Sequence, residues 1–354
     1  MLFSSPEFFL FFVVYFLLHL TIPQAYRIAL IIVGSTTFYA FWKPAYLWVP
    51  YVLLAIGYCG TLWIVSTIDS SSQRRRLWVV VASLLVPLGM VKYTNFVYRD
   101  VLGPIFGFSG SMLDVSLPLG ISFITFTMIA YVVDVYRGRF PAVSRVSTLA
   151  GLILFFPHLI AGPILRPHDL IPQLAHPRPP TRSLKVLLSY GITIFSIGLL
   201  KKLVFADQIA GVVESVFDHN RGDITSIEYL IAIYGFAMQI YCDFSGYTDM
   251  AIGAALLLGV RLPGNFFCPY TAVSIADFWR RWHITLSRWL RDYLYVPMGG
   301  NRRGTVREMV NIFITMGLGG LWHGANWTFV LWGLRSGSAC LNNFPRFISG
   351  IRAG

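Results

Sequence analysis

Charge is what this chain is short of. Charged side chains make up 12% of its 354 residues, about half of the roughly 25% that soluble domains carry. That shortage excludes a water-facing surface over most of the chain. Acidic residues are the scarcer kind, 16 against 28 Lys and Arg, giving a net charge of +12. A basic excess can signal nucleic acid. Here the basic residues sit in short loops between apolar runs and form no patch with base-stacking aromatics, which points to control of membrane topology. The four cysteines, Cys59, Cys242, Cys268 and Cys340, have neither paired nor metal-ligand spacing and read as buried or free thiols. Internal repeats and low-complexity tracts are missing too. No basic residue precedes the first apolar run and no small-residue cleavage site follows it, so that run is expected to remain as a first span.

What is present is apolar. Hydrophobic residues make up 56% of the chain and the mean hydropathy is +0.64, which defines an all-α, polytopic membrane protein. At about 20 residues per span, candidate spans run roughly over 8–20, 28–42, 45–68, 77–91, 117–136, 184–205, 227–241, 248–260 and 309–322. Arg74, Arg75 and Arg76, then Arg137, Arg139 and Arg145, mark two cytoplasmic loops, and counting back places Met1 outside. The apolar stretch 149–165 is interrupted by Pro157, Gly162 and Pro163 and followed by Arg166, Arg178, Arg182 and Lys185. Basic residues at both ends predict a re-entrant segment lining a cavity, with a Pro-kinked ordinary span as the alternative. The proline-rich stretch 170–180 reads as a surface connector.

Ser274, with Asp277 three residues on, predicts a helix start for a run ending near Tyr295. At about 100° per residue, Asp277, Arg280, Arg281, Arg288, Arg291 and Asp292 share one face, and Trp279, Trp282, Leu286, Trp289, Leu290 and Tyr293 the other. Such a helix lies along the headgroup region on the cytoplasmic side. Its arginines serve as lipid anchors or as a phosphate-reading surface for a nucleotide-bearing donor. His283 falls on the shoulder of the apolar face, as a packing residue or a functional one.

Two further places hold polar groups at depth. Asp243 follows a long apolar run and is a cavity candidate, whereas Asp249 suits either a cavity or a helix N-terminus. His323, in Trp322-His323-Gly324-Ala325-Asn326-Trp327, lies roughly 21 Å along its span, past the middle of a core about 30 Å thick. A desolvated neutral imidazole there suits removal of a proton from an alcohol attacking an acyl carbonyl, and Asn326 is placed to orient the ring or hold an oxyanion. A structural polar network is the other reading of the same residues.

In order along the chain, the blocks Met1 to Phe8, Tyr241 to Met250, Asp277 to His283, Leu294 to Arg302 and Trp322 to Trp327 resemble the membrane-bound O-acyltransferase family, and within it the bacterial branch acting on exported polysaccharides such as alginate. The resemblance implies a helical bundle around a transmembrane tunnel, with His323 essential and His283 a second important histidine. It places Asp243, Ser245, Asp277, Arg280, Arg281, Trp322 and Asn326 along the tunnel. It further implies no tightly bound cofactor and no metal, with acetyl-CoA or another acyl carrier as a cytoplasmic donor. The implied partners are the lipid bilayer and periplasmic acyl-transfer proteins, in a bacterial inner membrane. D-alanyl transfer to a cell-wall polymer is a related possibility, and a transporter or a non-catalytic scaffold is the reading from outside acyl chemistry. The family pattern is matched through Trp332-Gly333-Leu334 and then lost, so residues 1–334 are expected to form one transmembrane domain. Residues 335–354 are expected to form a polar, non-helical tail, as in a truncated chain lacking the family's last helices and of uncertain activity.

Overall fold

A computed structural model describes residues 1–107, 117–175, 184–217 and 224–342, and among them helices are the regular structure throughout, with no strand. In chain order these are α1 (Pro6–Thr21), α2 (Arg27–Trp42), α3 (Trp48–Val65), α4 (Ser70–Lys92), α5 (Thr94–Phe96), α6 (Gly103–Phe106), α7 (Ile121–Tyr136) and α8 (Val146–Ile153). They continue with α9 (Phe156–Leu159), α10 (Pro167–Ala175), α11 (Leu184–Leu200), α12 (Asp207–Phe217) and α13 (Ser226–Leu257). Last come α14 (Ile275–Arg281), α15 (Ile284–Leu290), α16 (Thr305–His323) and α17 (Trp327–Asn342). Among the described residues, three helical rods are long and apolar enough to cross a membrane: Gln24–Trp42, Pro44–Val65 and Lys185–Phe217. The pair Ser70–Lys92 and Thr94–Phe106, bent by 64°, makes a fourth if it is one broken span. This is a multi-pass, all-α membrane protein.

The chain divides into two units, Met1–Leu47 with Ser147–Pro263, and Trp48–Val146 with Gly264–Gly354. In the first, helix starts follow local chemistry. Ser5 and Pro6 open α1, the Ser5 hydroxyl accepting from the Phe8 N–H. Thr225 and Glu228 form a reciprocal capping box at α13. A ring cluster of Phe3, Phe8, Phe11, Tyr15, Phe38 and Phe156 packs α1, α2 and α9 together.

The acidic segment is not a break between two spans, as expected, because α13 runs 32 residues through it. Two glycine pairs let α11 approach. A Cβ on Gly198 would stand 2.5 Å from the Gly246 carbonyl oxygen, and one on Gly253 would stand 2.7 Å from that of Gly191, the close backbone contact that small residues permit. A π-helical turn at Lys201–Ala206 follows α11.

Stretch 149–165 is neither a single helix nor a kinked span. It comprises the short helices α8 and α9 followed by irregular backbone, and Leu149 through Leu159 are buried throughout. Its backbone is partly satisfied by side chains from elsewhere, the Ser35 hydroxyl accepting from the Phe156 N–H at 3.1 Å. The expected connector at 170–180 is helical as far as Ala175, with Leu170, Ile171 and Leu174 buried; residues 176–180 lie outside the described residues.

In the second unit the predicted basic helix is divided. α14 ends at Arg281, His283 takes a left-handed conformation (φ 41°), and α15 starts at Ile284 and passes into a π-helical turn at Arg291–Tyr295. The expected non-helical tail is also corrected, since α17 continues to Asn342; residues 343–354 lie outside the described residues. Gly333 and Gly337 look like helix enders in sequence but serve as packing positions. Gly333 meets Gly320 backbone to backbone, and Gly337 faces Met316 and Phe313 of α16.

Candidate active site

His323 is the last residue of α16 and is half-buried. Its ring stands edge-on to Trp332 of α17 with centroids 5.1 Å apart, and it meets the neighbouring Trp322 ring at 4.9 Å. The close approach of α16 and α17 at Gly320 and Gly333 brings Trp332 to it. The C-terminal carbonyls of α16 lack partners within the helix, and the last residue of α4 and the residue that follows it supply them. The Lys92 ammonium donates to the Trp322 carbonyl, and the Tyr93 hydroxyl donates to that of Leu321 at 3.0 Å. A cation at a helix C-terminus is also favoured by the helix dipole.

Lys92 and Tyr93 were not singled out by the sequence. Next to an apolar run, Lys92 looks like an ordinary topology-setting charge. Lys92→Met is expected to lower stability by about 1 kcal/mol and to reduce turnover through a looser last turn of α16. Thermal melts beside initial rates check this, and an unchanged rate would remove Lys92 from the site.

His283 also packs against Trp322. It is fully buried, with ring centroids 5.9 Å from Trp322, 6.4 Å from Phe123 of α7 and 6.5 Å from Phe266. Trp322 therefore touches both imidazoles. Burial holds the His283 imidazole well below the ordinary histidine range, and the nearby His323 ring adds to this, so His283 is neutral at pH 7. Trp322 continues into an aromatic stack in which Phe126 and Trp289 lie parallel with centroids 3.9 Å apart. The Trp289 indole N–H donates to the Phe126 carbonyl at 2.9 Å, and Phe126 stacks in turn on Trp322 at 5.6 Å. The apolar face predicted from helical periodicity thus holds, with Trp282, Leu286 and Trp289 buried.

The remaining sequence candidates separate. Asp277 is buried and ion-paired, 3.0 Å from Arg281 and 3.4 Å from Arg280. The Arg281 guanidinium holds its carboxyl below the usual carboxylate range. Its N–H donates to the Ser274 hydroxyl at 3.1 Å, the expected cap. Arg280 is exposed and Arg281 half-buried. The Asn326 Oδ1 accepts from both the N–H (2.9 Å) and the hydroxyl (3.0 Å) of Thr328, so it caps α17 instead of turning to the His323 ring.

Asp243 and Ser245 belong to the first unit, in the middle of α13. Asp243 is not a buried lone charge, since its carboxylate is 44% exposed and lies 2.6 Å from Lys202, which also pairs with Asp207 at 2.7 Å. Asp249 is held at 2.6 Å by Lys201. Ser245 is fully buried, and its hydroxyl has no partner among the described residues.

The sequence pattern of the membrane-bound O-acyltransferase family matches residues 143–339. The chain is 41% identical over 343 residues to the probable alginate O-acetylase AlgI of Azotobacter vinelandii, covering 96% of this chain and 68% of the relative. It is 42% identical over 346 residues to that of Pseudomonas putida (94% and 68%), and 37% identical over 338 residues to the peptidoglycan O-acetyltransferase of Helicobacter pylori (87% and 63%). It thus spans about two thirds of the length of these relatives. A match over more than half of the chain, together with identity of this extent along most of it, shows that the chain belongs to the membrane-bound O-acyltransferase family.

Proposed function

We propose that this chain moves an acetyl group from a cytoplasmic donor, acetyl-CoA or another acyl carrier, to hydroxyls of an exported polysaccharide such as alginate. Delivery is direct or passes through a periplasmic acyl-transfer partner. The observation that carries this reading is the pair of imidazoles that both contact Trp322, at 5.9 and 4.9 Å between ring centroids. Family membership and relatives bearing the names of polysaccharide O-acetylases support it. In the proposed step a sugar hydroxyl oxygen attacks the acyl carbonyl while His323 takes the hydroxyl proton. The tetrahedral intermediate then expels the donor's thiolate, which leaves with that proton. One ester bond forms as the donor's thioester breaks, and His283 assists.

A tunnel joining the two sides of the membrane, an inner-membrane location and a periplasmic N-terminus complete the proposal. Asp243, Ser245, Asp277, Arg280, Arg281, Trp322 and Asn326 are offered as residues that shape that passage or its supports. The test is the ester content of the exported polysaccharide from cells with and without this chain, read by mass spectrometry, together with acyl transfer in proteoliposomes supplied with labelled acetyl-CoA. Loss of acetyl ester on deletion, and label moving into ester, are expected. Polysaccharide flux without any acyl chemistry would instead assign a transporter.

A further inference from the structure

Asn265 sits in the irregular segment before α14, is 1% exposed, and faces the break at His283. Its side-chain oxygen collects three contacts from that break: the Thr285 N–H at 3.1 Å, the Thr285 hydroxyl at 2.9 Å and the His283 Nδ1 at 3.1 Å. Its backbone carbonyl accepts from the Ile284 N–H at 2.9 Å. The first N–H groups of α15 are therefore capped from nineteen and twenty positions upstream, while His283, the residue at the cap position, makes no side-chain cap of its own.

The chemistry of these contacts fixes a proton. A backbone N–H can only donate, so the atom that Thr285 N–H meets is the amide oxygen and not the amide nitrogen. Turning the amide over would set two donors against each other. In the observed orientation the Asn265 amide nitrogen is buried with no partner among the described residues, a cost of about 1–3 kcal/mol that the structure accepts. An amide oxygen cannot donate, so Nδ1 of the neutral His283 ring must carry the hydrogen, leaving the lone pair on Nε2.

We infer that Asn265 is a positioning residue for acyl transfer, locking His283 in the Nδ1–H form so that its Nε2 enters the reaction as an acceptor of a hydrogen bond or proton and not as an oxyanion donor. This rests on the function proposed above. When Nε2 takes a proton, Nδ1–H remains on the Asn265 oxygen, and no side chain has to turn. Around the ring lie Phe123 of α7, Phe266 and Trp322. Among the described residues the ionisable groups there are His323 on α16 and Lys92 of α4, whose ammonium stands 5.6 Å over the Trp322 ring.

The test has a spectroscopic arm that needs no activity. The 354-residue chain, labelled with 15N in its histidine rings and placed in nanodiscs, is compared with His283→Gln to assign the ring. The expected spectrum at neutral pH shows Nδ1 protonated and Nε2 bare, opposite to the preference of free histidine. A protonated Nε2 with bare Nδ1 overturns the inference even if the protein transfers acetyl groups, whereas a wild-type chain that never transfers them overturns the function and leaves the tautomer readable.

In the kinetic arm, Asn265→Leu is expected to lower kcat about 100-fold or more with KM within about threefold. Asn265→Asp keeps an oxygen acceptor and is expected to recover at least about tenfold of that loss. A carboxylate beside Nδ1 favours the imidazolium, so the acid limb of the Asn265→Asp profile of kcat/KM moves to higher pH. An Asp variant as inactive as the Leu variant, or an acid limb that stays in place, assigns Asn265 to packing alone.

Discussion

His323→Ala is expected to cut acyl transfer by about 10²- to 10⁴-fold, the span that a positioned general base contributes, while the protein still inserts and purifies. Two features separate this from a folding defect. His323 is half-buried at a helix end, and its ring contacts are edge contacts with Trp322 and Trp332. Removing the ring trims an accessible site without emptying a closed core. The carbonyls of the last turn keep their donors, since Lys92 and Tyr93 reach the backbone of Trp322 and Leu321 and not the imidazole. Initial rates in proteoliposomes beside a melting curve would check both halves. Retained transfer would take the base role away from His323.

The second large effect is structural. At Gly320 a Cβ would run into the Phe329 carbonyl oxygen and stand 3.0 Å from the Gly333 Cα, whereas at Gly317 it would meet a Leu334 methyl at 3.4 Å. Backbone atoms cannot swing aside as a side-chain end does. Gly320→Ala must therefore push α17 off α16 and draw Trp332 away from His323, at about 1–3 kcal/mol or more with most of the transfer activity. Gly317→Ala introduces the same methyl three residues earlier on α16, where ordinary van der Waals packing is available, and should gain up to about 1 kcal/mol from helix propensity. Melting temperatures moving in opposite directions are the expected outcome, and equal shifts would contradict the packing described.

The cap at Ser274 and the buried face of Trp282, Leu286 and Trp289 follow from local chemistry and helical period, and both are present. The left-handed turn at His283 was not legible. A non-glycine residue adopts φ 41° only because contacts from outside the segment hold it there, and the clamp lies at Asn265, which in a Pro-Gly-Asn context looks like a turn residue. The length of α13 was hidden for a similar reason. Asp243 and Asp249 look like the end of an apolar run until Lys202 and Lys201 are seen to neutralise them. Residues 335–342 looked polar and helix-breaking because the benefit of small residues depends on a neighbouring helix that no local window contains. The histidine pair itself was named in the sequence through family resemblance. Periodicity alone left each ring between packing and function.

The contacts between α11 and α13 act together as a vernier. Two glycine notches spaced seven residues apart, Gly191 and Gly198 against Gly253 and Gly246, are followed along the same edge by adjacent lysines bound to carboxylates six residues apart. Sliding either rod by one turn, about 5.4 Å, would drive bulkier side chains into both notches and strand all four charges at once. This pair of rods therefore behaves as a fixed rail, and rearrangement during a catalytic cycle must be sought in other parts of the molecule.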